Sequence, residues 1–474
     1  MFRALTELWA VLPTFIPFLR PQIPLLSPAH DLSRFAIEHS WGVYSPFHAT
    51  EDYPPIPEGC DIDQVNILHR HGARLPSESQ TEDILSGVTK LLGVDEYTDE
   101  RLDFLHTFHY PLGENLLVPL GALQSQQSGA TAFHRYKHLL SEDDLPFIRA
   151  SGMSRVVDSA LNWTAGFAAA SEQKHTPRLS VIISEAGNDT LQDNNCPNAA
   201  SSHKEMREWL EVYAPPITSR LNSWAPGASL THEDIHGLMM LCAFHTVASV
   251  VPEDFESGKA LPYSPFCDLF ESREFESFAY SSDVDRYYST GYGGRLGKVQ
   301  GVGYVNELLA RLTRSPVSDQ TCTNTTLDSH YATFPLDRTI YADFTHDAPL
   351  IAVFNAIGLF PTPSFPTRPR GGPDSMRDWR TSRIMTFSSR MVVEKLECQP
   401  QASSADPTED LKKHKKKRTK KFIRVLVNEV QQPLEFCGAP TSGPLHGLCE
   451  FDAFLESQMY SRNHGEGDWD KCFE

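Results

Sequence analysis

Five short runs constrain this chain most. They are VNIL (65–68), LPFIRA (145–150), LSVIISEA (179–186), TIYADFTHD (339–347) and FIRVLVNE (422–429). Each is mostly apolar and often β-branched, the pattern of a strand buried on both faces. Helical spacing fills the gaps between them. One stripe runs over 119–141 through Leu120, Leu123, Ala130, Phe133, Tyr136 and Leu140. A second begins near Ser154 with Val156, Val157, Ala160, Phe167 and Ala168, and a third covers 302–313 with Val302, Val305, Leu309 and Leu312. Strands alternating with helices predict an α/β domain whose open sheet carries helices on both faces.

The interval 197–325 differs. SHKEMREWLEVY and THEDIHGLMMLCAF keep helical spacing, and no strong strand run interrupts them. It is expected to be a mostly helical cap insertion, with the α/β domain formed by 41–196 and 326–474. Residues 1–40 read as a degenerate leader or a poorly ordered N-terminal segment. Glu7, Pro13 and Pro17 interrupt their apolar stretch, and no clean small-residue cleavage site follows. GYGGRLGKVQGVG (291–303) fits neither nucleotide-binding glycine pattern and follows no strand, so it reads as a flexible turn before a helix.

The net charge of −19 argues against general nucleic-acid binding. Eight of the 42 lysines and arginines sit in KKHKKKRTKK (412–421), which is expected to be a solvated loop, so the rest of the chain is more acidic still. Any anion site must be a local basic pocket. The nine cysteines show no metal-ligand spacing. Together with N-x-S/T sequons at Asn162, Asn188 and Asn324 they suggest secretion and disulfides. After the N-terminus no run reaches the ~18 uninterrupted apolar residues of a membrane span.

The chemistry collects at strand ends. The first run leads into Arg70, His71, Gly72, Ala73 and Arg74; the second ends as FIRASGMSR, with Arg149 and Arg155; the fourth ends in His346 and Asp347. In an open parallel sheet the loops at the carboxyl ends form the ligand crevice. The guanidiniums of Arg70, Arg74 and Arg155 there match phosphate oxygens as forked donors. Gly72 is expected to let backbone approach an anion closely. A neutral imidazole can attack phosphorus, and a carboxylic acid kept protonated by its pocket can supply the leaving group's proton.

The ordered set RHGARLP (70–76), FIRASGMSR (147–155), SPFCDLF (264–270), VQGVGYVNELLARLT (299–313), FTHDAP (344–349), RVLVN (424–428) and GDWDKCFE (467–474), with WGVYSPF (41–47) before it, resembles the histidine acid phosphatases. The fungal phytase branch, the 3-phytases, is the nearest pattern. The resemblance implies a phosphoglycerate-mutase-like α/β domain with a helical cap. It implies His71 as nucleophile, Asp347 as proton donor, and Arg70, Arg74, Arg155 and His346 as the grip on the scissile phosphate. The implied activity is acid hydrolysis of phosphomonoesters of myo-inositol hexakisphosphate through a phosphohistidine. No metal or organic cofactor is implied, and the expected partner is a small phosphomonoester met by a secreted monomer, with no nucleic acid or membrane partner. The implied disulfides are Cys60–Cys398, Cys196–Cys472, Cys242–Cys267 and Cys437–Cys449, with Cys322 free.

Some positions depart from that pattern. Tyr44, Arg101, His106 and Arg286 are the candidate substrate rim, yet Asp285 places a negative charge where a cation helps and His106 is cationic only at acid pH. Ala348 follows the His-Asp pair where asparagine is usual. These departures leave two other readings open: a broad acid phosphatase with weak phytate preference, and an inactive phosphate-binding protein. Tyr44 either lines the pocket or packs. His69 is expected to be a packing residue and Arg149 a support beside the sheet. The Asn162 sequon, inside a predicted helix, is expected to be buried and unused.

Overall fold

β1 (Cys60–Arg70) is buried without a break from Gln64 to Arg70, as befits a strand inside a sheet covered on both faces. The computed structural model describes residues 36–187, 189–193, 195–362, 378–399 and 419–474. Residues 1–35 of the N-terminal segment, Asn188 of its sequon and residues 412–418 of the basic run lie outside the described residues. The last two lysines of that run, Lys420 and Lys421, belong to a strand and not to the expected loop.

After β1 come α1 (Glu78–Leu92), α2 (Pro119–Tyr136), β2 (Phe147–Ser151), α3 (Ser154–Ala170) and β3 (Leu179–Ile183). Helices α4 (His203–Trp224), α5 (His232–Ala248), α6 (Pro252–Glu256), α7 (Ser272–Ser289), α8 (Val302–Thr313) and α9 (Thr325–Asp328) separate β3 from β4 (Ile340–Thr345). The chain goes on to α10 (Asp347–Ile357), β5 (Arg390–Cys398), β6 (Lys420–Val427), β7 (Val430–Gln431) and β8 (Cys449–Glu450). The strand order is β3-β2-β4-β1-β5-β6-β7, with β8 against β6.

The sheet is mixed rather than parallel throughout. β1, β2, β3 and β4 are parallel, while β5 runs antiparallel to β1 and β6 antiparallel to β5. The sequence pattern missed β5 because RMVVEKLEC carries charge at its centre. Glu394 is nonetheless fully buried. It pairs with Arg424 at 2.5 Å and accepts hydrogen bonds from Tyr53 and Tyr136 at 2.8 and 2.6 Å. A buried charge satisfied this way is tolerated in a central strand.

Alternate residues of β1 serve opposite faces. Ile67 packs with Ala132, Ile148 and Trp163 on the α2–α3 side, and Leu68 joins the other core with α5 and α10 residues. That second core also takes in Ile84 and Leu91 of α1 and Leu238 and Phe244 of α5. The helical segment between β3 and β4 therefore shares its core with the sheet. The helix α1 escaped sequence detection but has clear local cause: Ser77 and Gln80 form a reciprocal capping box at its start.

The glycine-rich stretch ends, as expected, in a turn leading to α8. Its glycine at 301 serves packing rather than flexibility: a Cβ there would lie 2.3 Å from the Ala352 carbonyl oxygen of α10. All four implied disulfides are present, and Cys322 is free and buried. Cys60–Cys398 joins β1 to β5 at a paired register position. Among the described residues no helix is long and apolar enough to cross a membrane.

Candidate active site

β4 lies between β1 and β2, so three parallel carboxyl ends meet side by side. Arg70 is in register with Thr345, and the His71 N–H donates to the Thr345 carbonyl at 3.0 Å. Arg70 is buried and held by local acceptors. Its Nη1 donates to the Val43 and Met385 carbonyls at 2.6 and 2.7 Å, its Nη2 to Asp347 Oδ2 at 3.0 Å, and Phe387 lies beneath it. Arg74 donates to the Leu75 carbonyl and to Gln80 Oε1 at 2.8 and 3.0 Å. Arg155, at the start of α3, reaches His346 Nδ1 at 3.4 Å. The rings of His71 and His346 stand edge to face with centroids 5.7 Å apart.

The tautomer of His71 follows from its partner. Nδ1 lies 2.9 Å from the Gly72 carbonyl oxygen, which can only accept. Nδ1 therefore carries the hydrogen and Nε2 keeps the lone pair, the atom a nucleophilic imidazole needs. Burial, then Arg70, Arg155 and Arg74, hold the ring well below the ordinary histidine range, so it stays neutral in acid. Burial and mutual repulsion also lower Arg70 and Arg74 to about 10, and burial pushes Arg155 down against the pull of Asp193, Asp347 and Glu185. Guanidiniums packed at such a cost are relieved by an anion.

Two expectations about this loop change. Gly72 does not open its backbone to an anion: its N–H donates to Ser159 Oγ at 2.9 Å, and a Cβ would lie 2.4 Å from the Gly121 carbonyl oxygen. The glycine lets the first turn of α2 pack against the loop. Nor does the pocket by itself keep Asp347 protonated. Burial pushes its carboxyl up, but the guanidiniums of Arg286, Arg70 and Arg74 outweigh burial and hold it well below the usual carboxylate range.

A sequence profile of the histidine phosphatase superfamily (branch 2) matches residues 61–428. The chain belongs to this family. It is 35% identical over 454 residues to a Phytase A of Aspergillus terreus, covering 92% of this chain and 91% of that one. It is 34% identical over 458 residues to Phytase A of Aspergillus fumigatus, with the same coverage. The solved phytase of D. castellii superposes with a TM-score of 0.69 at 22% identity, covering 93% of this chain and 89% of that one. Apo Bifidobacterium longum multiple inositol polyphosphate phosphatase gives 0.56 at 13% identity, covering 86% and 98%.

Within this histidine phosphatase the structure brings Arg70, His71, Arg74, Arg155, His346 and Asp347 together. Arg286 moves from the rim to the centre: it donates to Asp347 at 3.0 Å and pairs with Asp285 at 3.1 Å. Tyr44 is half-buried, accepts from Gln80 at 3.0 Å and stands in the field of Arg74 and Arg286, so it lines the site as well as packing on Phe244 and Phe278. Arg101 and His106 are not brought in. Arg101 pairs with Asp99 at 2.8 Å and lies on Trp224, and His106 packs on Tyr97.

Arg149 stays in the sheet, bonded to Asp343 and Glu307 at 2.8 and 2.5 Å. His69 is buried, donating from Nδ1 to the Arg70 carbonyl at 2.6 Å and accepting from Ser128 at 3.1 Å. Asn162 is half-buried, and its side chain donates to the Asp158 carbonyl. Sequence reasoning missed Glu185 and Asp193, whose carboxylates lie 3.3 and 3.6 Å from the His346 ring nitrogens. Glu185 had a usable signal, since it lies at the carboxyl end of the third strand run. Asp193 had none.

Proposed function

We propose that this chain is an acid phosphomonoesterase of the phytase type. The carrying observation is the neutral His71 imidazole with its Nε2 lone pair set among Arg70, Arg74 and Arg155. The guanidiniums take the non-bridging oxygens of a phosphate monoester, and they stabilise charge as the transition state loosens. Nε2 attacks phosphorus, a P–N bond forms and the P–O bond to the alcohol breaks. Asp347 gives its proton to the departing oxygen. Water then attacks the phosphohistidine with Asp347 taking its proton, and inorganic phosphate leaves as the P–N bond breaks.

Asp347 reaches its acid form through the substrate. A phosphate dianion beside it competes for Arg70 and Arg286 and adds negative charge, and both effects raise its affinity for a proton. The Phytase A relatives support myo-inositol hexakisphosphate as substrate. Pairing of Asp285 with Arg286 removes the main argument for a weak phytate preference. Four disulfides support action outside the cytosol. The test compares phosphate release from phytate and p-nitrophenyl phosphate at acid pH, with acid-quench trapping of phosphohistidine. A higher kcat/KM for phytate and a trapped species absent from His71→Ala are expected. A lower kcat/KM for phytate overturns the substrate, and an equal trapped signal in the variant overturns His71.

A further inference from the structure

His346 is buried at the end of β4 with both ring nitrogens engaged, and the partners differ in kind. Nε2 lies 3.3 Å from Glu185 Oε1. A carboxylate can only accept, so Nε2 carries a hydrogen. Glu185 is itself fixed at a junction of strand ends. It accepts from Ser151 Oγ at the end of β2 and from the Met153 N–H ahead of α3 at 3.2 Å. Those bonds and the His346 contact outweigh burial and keep the Glu185 carboxyl below its ordinary range.

Nδ1 faces the opposite way. It lies 3.4 Å from Arg155 Nη2, a donor, and 3.6 Å from Asp193 Oδ2, an acceptor. His71 on the β1 loop meets the ring edge to face, and Asp193 on this side stands in turn in the field of Arg286 on α7 and Asp347 on α10. When a phosphate oxygen takes the Arg155 hydrogen, Nδ1 can bond that phosphate only as a donor. Nε2–H is already committed, so donation from Nδ1 requires the doubly protonated ring.

We propose that Glu185 is a positioning residue that commits His346 to meet the scissile phosphate as an imidazolium. Glu185 acts through His346 and needs no substrate contact. The consequence is a phosphate grip that depends on both ring hydrogens of His346, one of them held by Glu185. This inference rests on the phosphatase reading, which wild-type turnover and the His71→Ala trap decide separately.

The test is inhibition by inorganic phosphate as a function of pH in wild type, Glu185→Gln and Glu185→Asp. Glutamine can still accept from Nε2 but lacks the charge. The inhibition constant of Glu185→Gln is expected to exceed that of wild type severalfold near pH 6 and far less near pH 4, because removing the carboxylate disfavours the doubly protonated ring. KM should rise more than kcat falls, and Glu185→Asp should restore much of the difference. A loss equal at both pH values, or no loss, overturns the proposal. Histidine NMR of the wild-type phosphate complex tests it without a variant: His346 protonated on both nitrogens near pH 5 is expected, and a neutral ring there overturns it.

Discussion

At the scale of single residues the site works by opposed charges. His71 is kept neutral by burial and three guanidiniums. Its replacement by alanine should lower kcat/KM by about 10³-fold or more while leaving the melting temperature near wild type, read by steady-state kinetics and calorimetry. Asp347→Asn should cost more on alkyl phosphates than on p-nitrophenyl phosphate, because a good leaving group needs less proton donation; equal losses count against the acid role. Arg286 is the strongest of the cations holding Asp347 down. Arg286→Gln should therefore move the basic limb of kcat/KM to higher pH, since the free protein's essential acid then keeps its proton longer. A limb that stays or moves down would show that another group sets it. Arg286 came to light only as a rim candidate in the sequence, because a lone arginine beside an aspartate on a helix gives no sign of what it faces.

Elements hold these residues in place by close backbone approach. The 298–301 turn ahead of α8 lies against α10, the helix that opens with Asp347, and Gly301 removes the Cβ that would strike the Ala352 carbonyl. Gly301→Ala should cost about 1–3 kcal/mol, the usual penalty for overpacking. Displacement of α10 should also lower kcat, so thermal melts and kinetics should shift together. At this scale the apolar strands and the striped helices α2, α3 and α8 were legible from periodicity. β5 was not, because Glu394 and Lys395 break its pattern and their partners Arg424 and Asp63 lie elsewhere in the chain.

At the scale of the whole molecule, the described residues around Arg149 and Arg311 bury more acid than cation. Arg149 and Arg311 are matched by Glu307 and Asp343. Asp189 and Asp328 lie in the same field without a further cation. Burial and Glu307 push Asp189 up to about 7 and raise Asp328 well above its usual range. An unfolded aspartate titrates near ~3.9. The folded state thus holds these protons more tightly, and the stability they contribute is full below about pH 4 and is lost as pH rises through about 7. The melting temperature should fall from pH 5 to pH 8, and Asp189→Asn should flatten that fall. A variant with the wild-type slope would show that Asp189 keeps no proton in the folded protein.

The sequence by itself determined the α/β class, most of the apolar strands, the helical segment between the third and fourth of them, and the six residues that meet at the candidate site. These are local matters: apolar period, turn chemistry and the residue types that phosphoryl transfer demands. Tertiary structure alone decided that the sheet is mixed, that Gly72 serves packing, that Asp347 is held ionised by Arg70 and Arg286, and that Glu185 and Asp193 flank His346. Each of these depends on distances between residues remote in the chain, and Coulomb and steric energies depend on those distances. So "RHGARLP" carries the imidazole proposed to react, while the charges around it, Arg155, Arg286 and Asp347, come from elsewhere in the fold.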